Sequence, residues 1–140
     1  MKNIKPETIE NRWDILYRDY PEVYDEFASV PKTPSLIQVI LKKFDFKNKI
    51  IADIGSGSGL SSFEVAKVAK KVIGIEIEDS MRVYAENQAR LLDVANVEFK
   101  KGDAKAIPLP NDSVDIVTGF TLAIHPVEGY RDFVSESVRV

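Results

Sequence analysis

The sequence predicts a three-layer α/β domain with helices on both faces of a parallel sheet, and three observations carry that expectation. From residue 50 onward, short apolar runs alternate with amphipathic stretches, the pattern of successive β-α-β units. A glycine-rich turn, Gly55-Ser56-Gly57-Ser58-Gly59, stands where the first run gives way to a helix. An acidic residue, Glu76, closes the second run. The chain has 140 residues, the usual size of one domain.

In chain order, the first thirty residues hold Trp13, Tyr17, Tyr20, Tyr24 and Phe27 at the three-to-four spacing of a helical stripe that Pro21 interrupts. Two short helices are expected there, forming an N-terminal segment (1–33) that serves as a lid or as packing. Thr33 before Pro34 reads as an N-cap and first helical position. Leu36, Ile37, Ile40, Leu41 and Phe44 then repeat on one face of a helix over about 34–44. The core is assigned to 34–140. Its strands are expected at Ile50 to Ile54, Val72 to Glu76, Val97 to Lys101 and Val114 to Thr118, with helices near 60–70, 80–93 and 127–139. Pro108, Pro110, Asn111 and Asp112 mark a loop before the fourth strand. Glu78 and Asp79 are expected to start the helix containing Met81 by capping and dipole complementarity.

Composition narrows the function classes. The net charge of −3 gives no global basic field, and Lys42-Lys43, Lys70-Lys71 and Lys100-Lys101 are only scattered pairs, so a nucleic-acid partner is not expected. The sequence has no cysteine, which excludes disulfides, thiolate metal sites and a cysteine nucleophile, and a cytoplasmic location is the expectation. No apolar run approaches the roughly 20 residues that span a bilayer, and Met1 to Glu10 is too polar for a signal peptide, so neither membrane nor processing is expected.

The glycine turn lets the backbone bend sharply and approach a ligand, and free amides at the following helix N-terminus could receive a carboxylate as readily as a phosphate. A dinucleotide fingerprint needs a glycine where Leu60 stands, which argues against NAD. Glu76 follows Gly55 by about 20 positions, where a carboxylate can accept from both hydroxyls of a ribose. A nucleoside-containing cofactor is the expectation.

The series D-I-G-S-G-S-G, V-I-G-I-E, K-G-D-A and L-P-N-D-S-V-D-I-V-T, in this order and spacing, closely resembles the motifs of class I, Rossmann-like methyltransferases that use S-adenosylmethionine (AdoMet). The resemblance covers about residues 24–140. It implies methyl transfer from AdoMet to an unidentified acceptor, with a small molecule as the expected substrate. It also implies that Gly55, Ser56 and Gly57 lie against the methionine part of the cofactor, beside Gly59, with Asp53 near its amino group. Glu76 would hold the ribose and Ile77 would lie against the adenine. Asp103 would accept from the adenine amino group beside the backbone amide of Ala104. Thr118 and Gly119 would form the floor near the methyl, and Tyr24, in Y-D-E-F-A, resembles an aromatic that covers the cofactor. No metal is implied.

Simpler roles stand beside these. Asp53 could tie the loop internally, Glu76 could be a soluble strand end, and Asp103 could be a turn former after Gly102. Trp13 and Tyr17 read as core. His125, the sole histidine, is the candidate general base because its pKa lies naturally near neutrality, or is simply a loop residue beside Pro126. The family continues into further strands, so a Rossmann-like sheet of order 3-2-1-4, truncated after the helix following the fourth strand, is expected here. Its fourth strand, with Val114, Ile116 and Val117, would stand at an open edge and favour a homo-oligomer. Besides a methyltransferase, the sequence admits a non-catalytic AdoMet-binding or interaction module and, less well, a nucleotide-dependent oxidoreductase.

Overall fold

Four parallel strands lie side by side in the computed structural model, which describes residues 12–30, 32–120 and 127–140. They are β1 (Ile50–Ile54), β2 (Lys71–Glu76), β3 (Val97–Lys101) and β4 (Ile116–Thr118), in the expected order β3-β2-β1-β4. β1 is central and apolar on both faces, as a strand covered by helices on either side must be. Its register sets Asp53 beside Gly74 of β2 and beside Thr118 of β4.

Alternation along the strands divides the interior in two. On one face Ile51 and Val72 pack with Ile37 of α3 (Lys32–Lys43), Val65 and Ala66 of α4 (Leu60–Ala66), and Phe46. On the other, Ala52, Ile54, Ile73 and Ile75 meet Ile107, Leu109 and Val140, with Phe133 of α6 (Val127–Arg139) against them. α5 (Asp79–Leu91) packs on β2 and β3 and buries Met81 and Ala85. α1 (Arg12–Asp19) and α2 (Pro21–Ala28) pack on α5, with Pro21 opening α2 where its missing N–H costs nothing.

Several boundaries depart from the sequence expectation. α3 begins at Lys32, so Thr33 lies inside the first turn rather than at the cap; Pro34 is tolerated because first-turn amides have no helical acceptor. α4 ends at Ala66 and not near 70. Glu78 holds the N-cap position of α5 but makes no side-chain cap bond; Asp79, in the first turn, is paired with Lys101 and Arg82. β4 starts at Ile116 because the Val114 amide donates 3.0 Å to the carbonyl of Val140 instead of to a strand. Arg139 fastens this corner, donating to the carbonyls of Leu109 (2.9 Å) and Ile107 (2.8 Å).

The expected bare edge is also redistributed. Val114, Ile116 and Val117 are half-buried, whereas Tyr130, Val134 and Val138, spaced by four along α6, are exposed, Val138 by 80%. Among the described residues, no helix is long and apolar enough to cross a membrane and no cluster of His, Cys, Asp or Glu could hold a metal ion.

Candidate cofactor site

The site forms at the carboxyl ends of β1, β2 and β4, where the order of strands reverses about β1. Gly55, Gly57 and Gly59 carry φ of 69°, 55° and 90°, the left-handed region that favours glycine, which is why the chain can leave β1, fold back on itself and enter α4 within five residues. The turn is anchored inward. The amides of Gly55 and Ser56 donate to the carbonyl of Ile75 at 2.8 and 3.2 Å, that of Gly59 to Ser56 at 3.0 Å, and that of Gly57 to the Glu76 carboxylate at 2.8 Å. The expectation of free amides concerned those that open α4 from Leu60 onward, whereas these four turn amides are not free to receive an anion. They are spent on β2 and on the turn itself.

Glu76 is 2% exposed, so it is not a soluble strand end. Its Oε2 accepts from Gly57 and from the phenol of Tyr17 at 2.8 Å, and its Oε1 from the amide of Glu78 at 2.9 Å. A buried carboxylate requires such a set of donors. Asp53 is 1% exposed and accepts from three hydroxyls: Ser61 and Ser62 at 2.7 Å, and Thr118 at 3.1 Å. Burial pushes its carboxyl above the usual carboxylate range, against the opposing pull of Ser62, Ser61 and Thr118. The internal tie weighed for Asp53 is thus present, and Thr118 is drawn into it.

The N-terminal helices stand over the turn. Tyr17 and Tyr24 meet edge to face at 4.7 Å, and a second tie runs from the Tyr84 phenol to Asp25 at 3.1 Å. Burial, then the charge of Glu76, pushes the Tyr17 and Tyr24 phenols up, so both keep their protons near neutral pH and Tyr17 donates. Tyr84 is pushed up to about 12 by burial and Asp25.

Of the other expected residues, Ile77 is 60% exposed beyond Glu76, an apolar side chain with an open face. Asp103 makes a turn, accepting from the Lys105 amide at 2.9 Å, with Ala104 half-buried next to it. Gly119 is exposed at the end of β4. His125 lies outside the described residues, as does the side chain of Trp13. Three participants were not foreseen. Tyr17, read as core, is the residue that reaches Glu76; Ser61 and Ser62 complete the Asp53 set. The adjacent serines in the first turn of α4 are a local signal for the Asp53 contacts.

These residues fit a ligand with a ribose and a positive charge. Glu76 retains two backbone donors if Tyr17 leaves, freeing acceptor capacity for a diol. A Cβ built on Gly57 would meet only the two tyrosine rings, Tyr17 Oη at 3.2 Å and Tyr24 Cε1 at 3.9 Å, so nothing of the sheet blocks that approach. Ser56 Oγ is, among the described residues, a buried side-chain oxygen with no hydrogen-bond partner.

Residues 51–140 match the model of a family described as a methyltransferase domain. An uncharacterised methyltransferase of Bacillus subtilis, YcgJ, is 33% identical over 90 residues, covering 64% of this chain and 35% of that protein. Phosphoethanolamine N-methyltransferase 1 of Caenorhabditis elegans is 27% identical over 125 residues, 84% of this chain and 25% of that protein. Among solved structures, a methyltransferase from Aquifex aeolicus described as SAM-dependent superposes with a TM-score of 0.69 at 25% identity, over 86% of this chain and 66% of that one. The chain spans between about a fifth and just over a third of the length of the curated relatives it matches.

Proposed function

The chain belongs to the class I AdoMet-dependent methyltransferase family, and from that premise we propose that it binds AdoMet at the ends of β1, β2 and β4 and serves methyl transfer to a small-molecule acceptor. The observation that carries this reading is the buried Glu76 carboxylate closing β2 against the amide of Gly57. The turn supports it: with the amides of Gly55, Ser56, Gly57 and Gly59 turned to protein acceptors, it is a poor cradle for a pyrophosphate. The buried Glu76 carboxylate beside the turn favours a hydrogen-bond donor or a cation instead. The family implies AdoMet, and a neighbour of 20% identity, a phosphoethanolamine N-methyltransferase from Haemonchus contortus, was solved with S-adenosylhomocysteine.

In this reading Glu76 takes the ribose hydroxyls and Ile77 lies under the adenine, with Asp103 and Ala104 at its polar edge. Gly55, Ser56, Gly57 and Gly59 face the methionine portion, and Asp53, with Thr118 and Gly119, bounds the floor. Bound AdoMet would supply an activated sulfonium methyl for in-line displacement, so the protein's task is alignment and exclusion of water. Tyr24 closes the mouth. For an acceptor that must lose a proton, His125 is the base we assign, because the tyrosines hold theirs. Calorimetry is expected to show binding of AdoMet and S-adenosylhomocysteine, each raising the melting temperature at millimolar concentration. Neither doing so while NAD does would overturn the assignment. Binding without transfer to any acceptor would instead mark a non-catalytic AdoMet-binding module.

The same proposal extends to assembly. β4 stands at the sheet edge, and the apolar stripe Tyr130, Val134 and Val138 leaves open side chains whose full burial is worth at most about 1.5 to 3 kcal/mol each. The 140-residue chain is expected to self-associate there at micromolar concentration in sedimentation. A clean 15.7 kDa monomer would refute that assembly.

A further inference from the structure

The N-terminal helices do more than roof the sheet. The Tyr17 phenol donates at 2.8 Å to Oε2 of Glu76, the oxygen that also takes the Gly57 amide, and so stands where a sugar hydroxyl would have to stand to use that acceptor. Its oxygen and the Tyr24 ring lie directly in front of Gly57, closing the approach that the glycine keeps open. On the other side of Gly57, a cavity of about 40 Å³ between Tyr24, Ala28, Ser56, Ser61 and Phe120 has room for a water or two. Tyr84 and Asp25 hold α2 down on α5 independently.

We infer that Tyr17 is a latch: its hydroxyl occupies the Glu76 acceptor, holds α1 and α2 shut over the glycine turn, and must be displaced by the diol of an incoming nucleoside. This rests on the AdoMet reading for the identity of the competitor, but not for the closure itself. With the phenol and the Gly57 amide on Oε2 and the Glu78 amide on Oε1, the carboxylate has one acceptor position left, enough for one sugar hydroxyl and not for two, so closure and binding of a diol compete. A ligand that binds only the open form shows an affinity lowered by the open fraction. Weakening the latch therefore tightens binding, whereas weakening a cover that grips the cofactor would loosen it. Burial and the Glu76 charge keep the phenol protonated and able to donate.

The test compares the intact chain with Tyr17→Phe, which keeps the ring and removes only the donor, and with Tyr84→Phe, which releases the second tie. Calorimetry with S-adenosylhomocysteine is expected to show about 3- to 10-fold tighter binding by Tyr17→Phe, the scale of one net hydrogen bond. Without ligand, amides of residues 12–19 are expected to exchange faster with deuterium in both variants. Weaker binding by Tyr17→Phe would overturn the latch in favour of a cover, and unchanged affinity with unchanged exchange would reduce the contact to packing. If S-adenosylhomocysteine binds neither protein, the ligand assignment falls by itself. Exchange in α1 then decides the latch: faster in Tyr17→Phe upholds the closure, unchanged refutes it.

Discussion

Glu76→Ala is expected to cost about 2 to 4 kcal/mol of folding stability and to weaken nucleoside binding by about 10- to 100-fold. The two losses have one origin. The carboxylate is the acceptor for Gly57, Glu78 and Tyr17, and at 2% exposure water cannot easily replace it. Removing it strands two backbone amides and a phenol, each worth about 1 to 3 kcal/mol if left unpaired, with partial relief as the turn loosens. Alanine also abolishes the latch, which by itself would favour binding; the lost ribose acceptor outweighs that gain, so the net change is a loss. Glu76→Gln separates the terms, since it keeps one oxygen but turns an amide donor toward another donor, and is expected to fall between alanine and wild type in stability. Urea midpoints and calorimetry read both quantities. Wild-type values of both for the alanine variant would show that the buried bonds contribute nothing and that another residue holds the ribose.

Much of the architecture is legible in the sequence because its causes are local. The strands and helices followed from apolar runs separated by amphipathic stretches and the left-handed glycines from the G-S-G-S-G turn itself, whereas the strand order came from the family resemblance. The illegible part depends on contacts between distant residues. Tyr17 and Glu76 are 59 positions apart, as are Asp25 and Tyr84, so neither tie leaves a periodic trace. The late start of β4 is set by Val140, 26 positions further on, whose carbonyl takes the Val114 amide. The Asp53 cluster was half visible: Ser61 and Ser62 sit within one turn of α4, but Thr118 joins only because β1 and β4 pair in that register. Of the spent amides in the glycine turn, that of Gly57 depends on the side chain ending β2, while those of Gly55, Ser56 and Gly59 use backbone carbonyls of Ile75 and Ser56, contacts that the sequence does not display.

Gly57→Val should reduce nucleoside binding by more than about 100-fold while costing only about 1 to 3 kcal/mol of stability. A β-branched residue at φ 55° is strained, which supplies most of the stability cost. Its Cβ would stand 3.2 Å from Tyr17 Oη, so the phenol must give way and the Glu76 bond stretches. Those neighbours are the ends of side chains on α1 and α2, which can shift, and the sheet beneath is untouched. Gly74 makes the contrast. An added Cβ there collides with the Phe99 ring inside the core, and would damage folding before binding. At Gly57 the new methyl groups occupy the space the ligand needs, and no movement of the tyrosines can return it, because they are on the solvent side of the same gap. Calorimetry with S-adenosylhomocysteine on folded protein, checked by circular dichroism, measures the effect. Wild-type affinity in a folded Gly57→Val would mean that the turn is structural and that the nucleoside binds elsewhere.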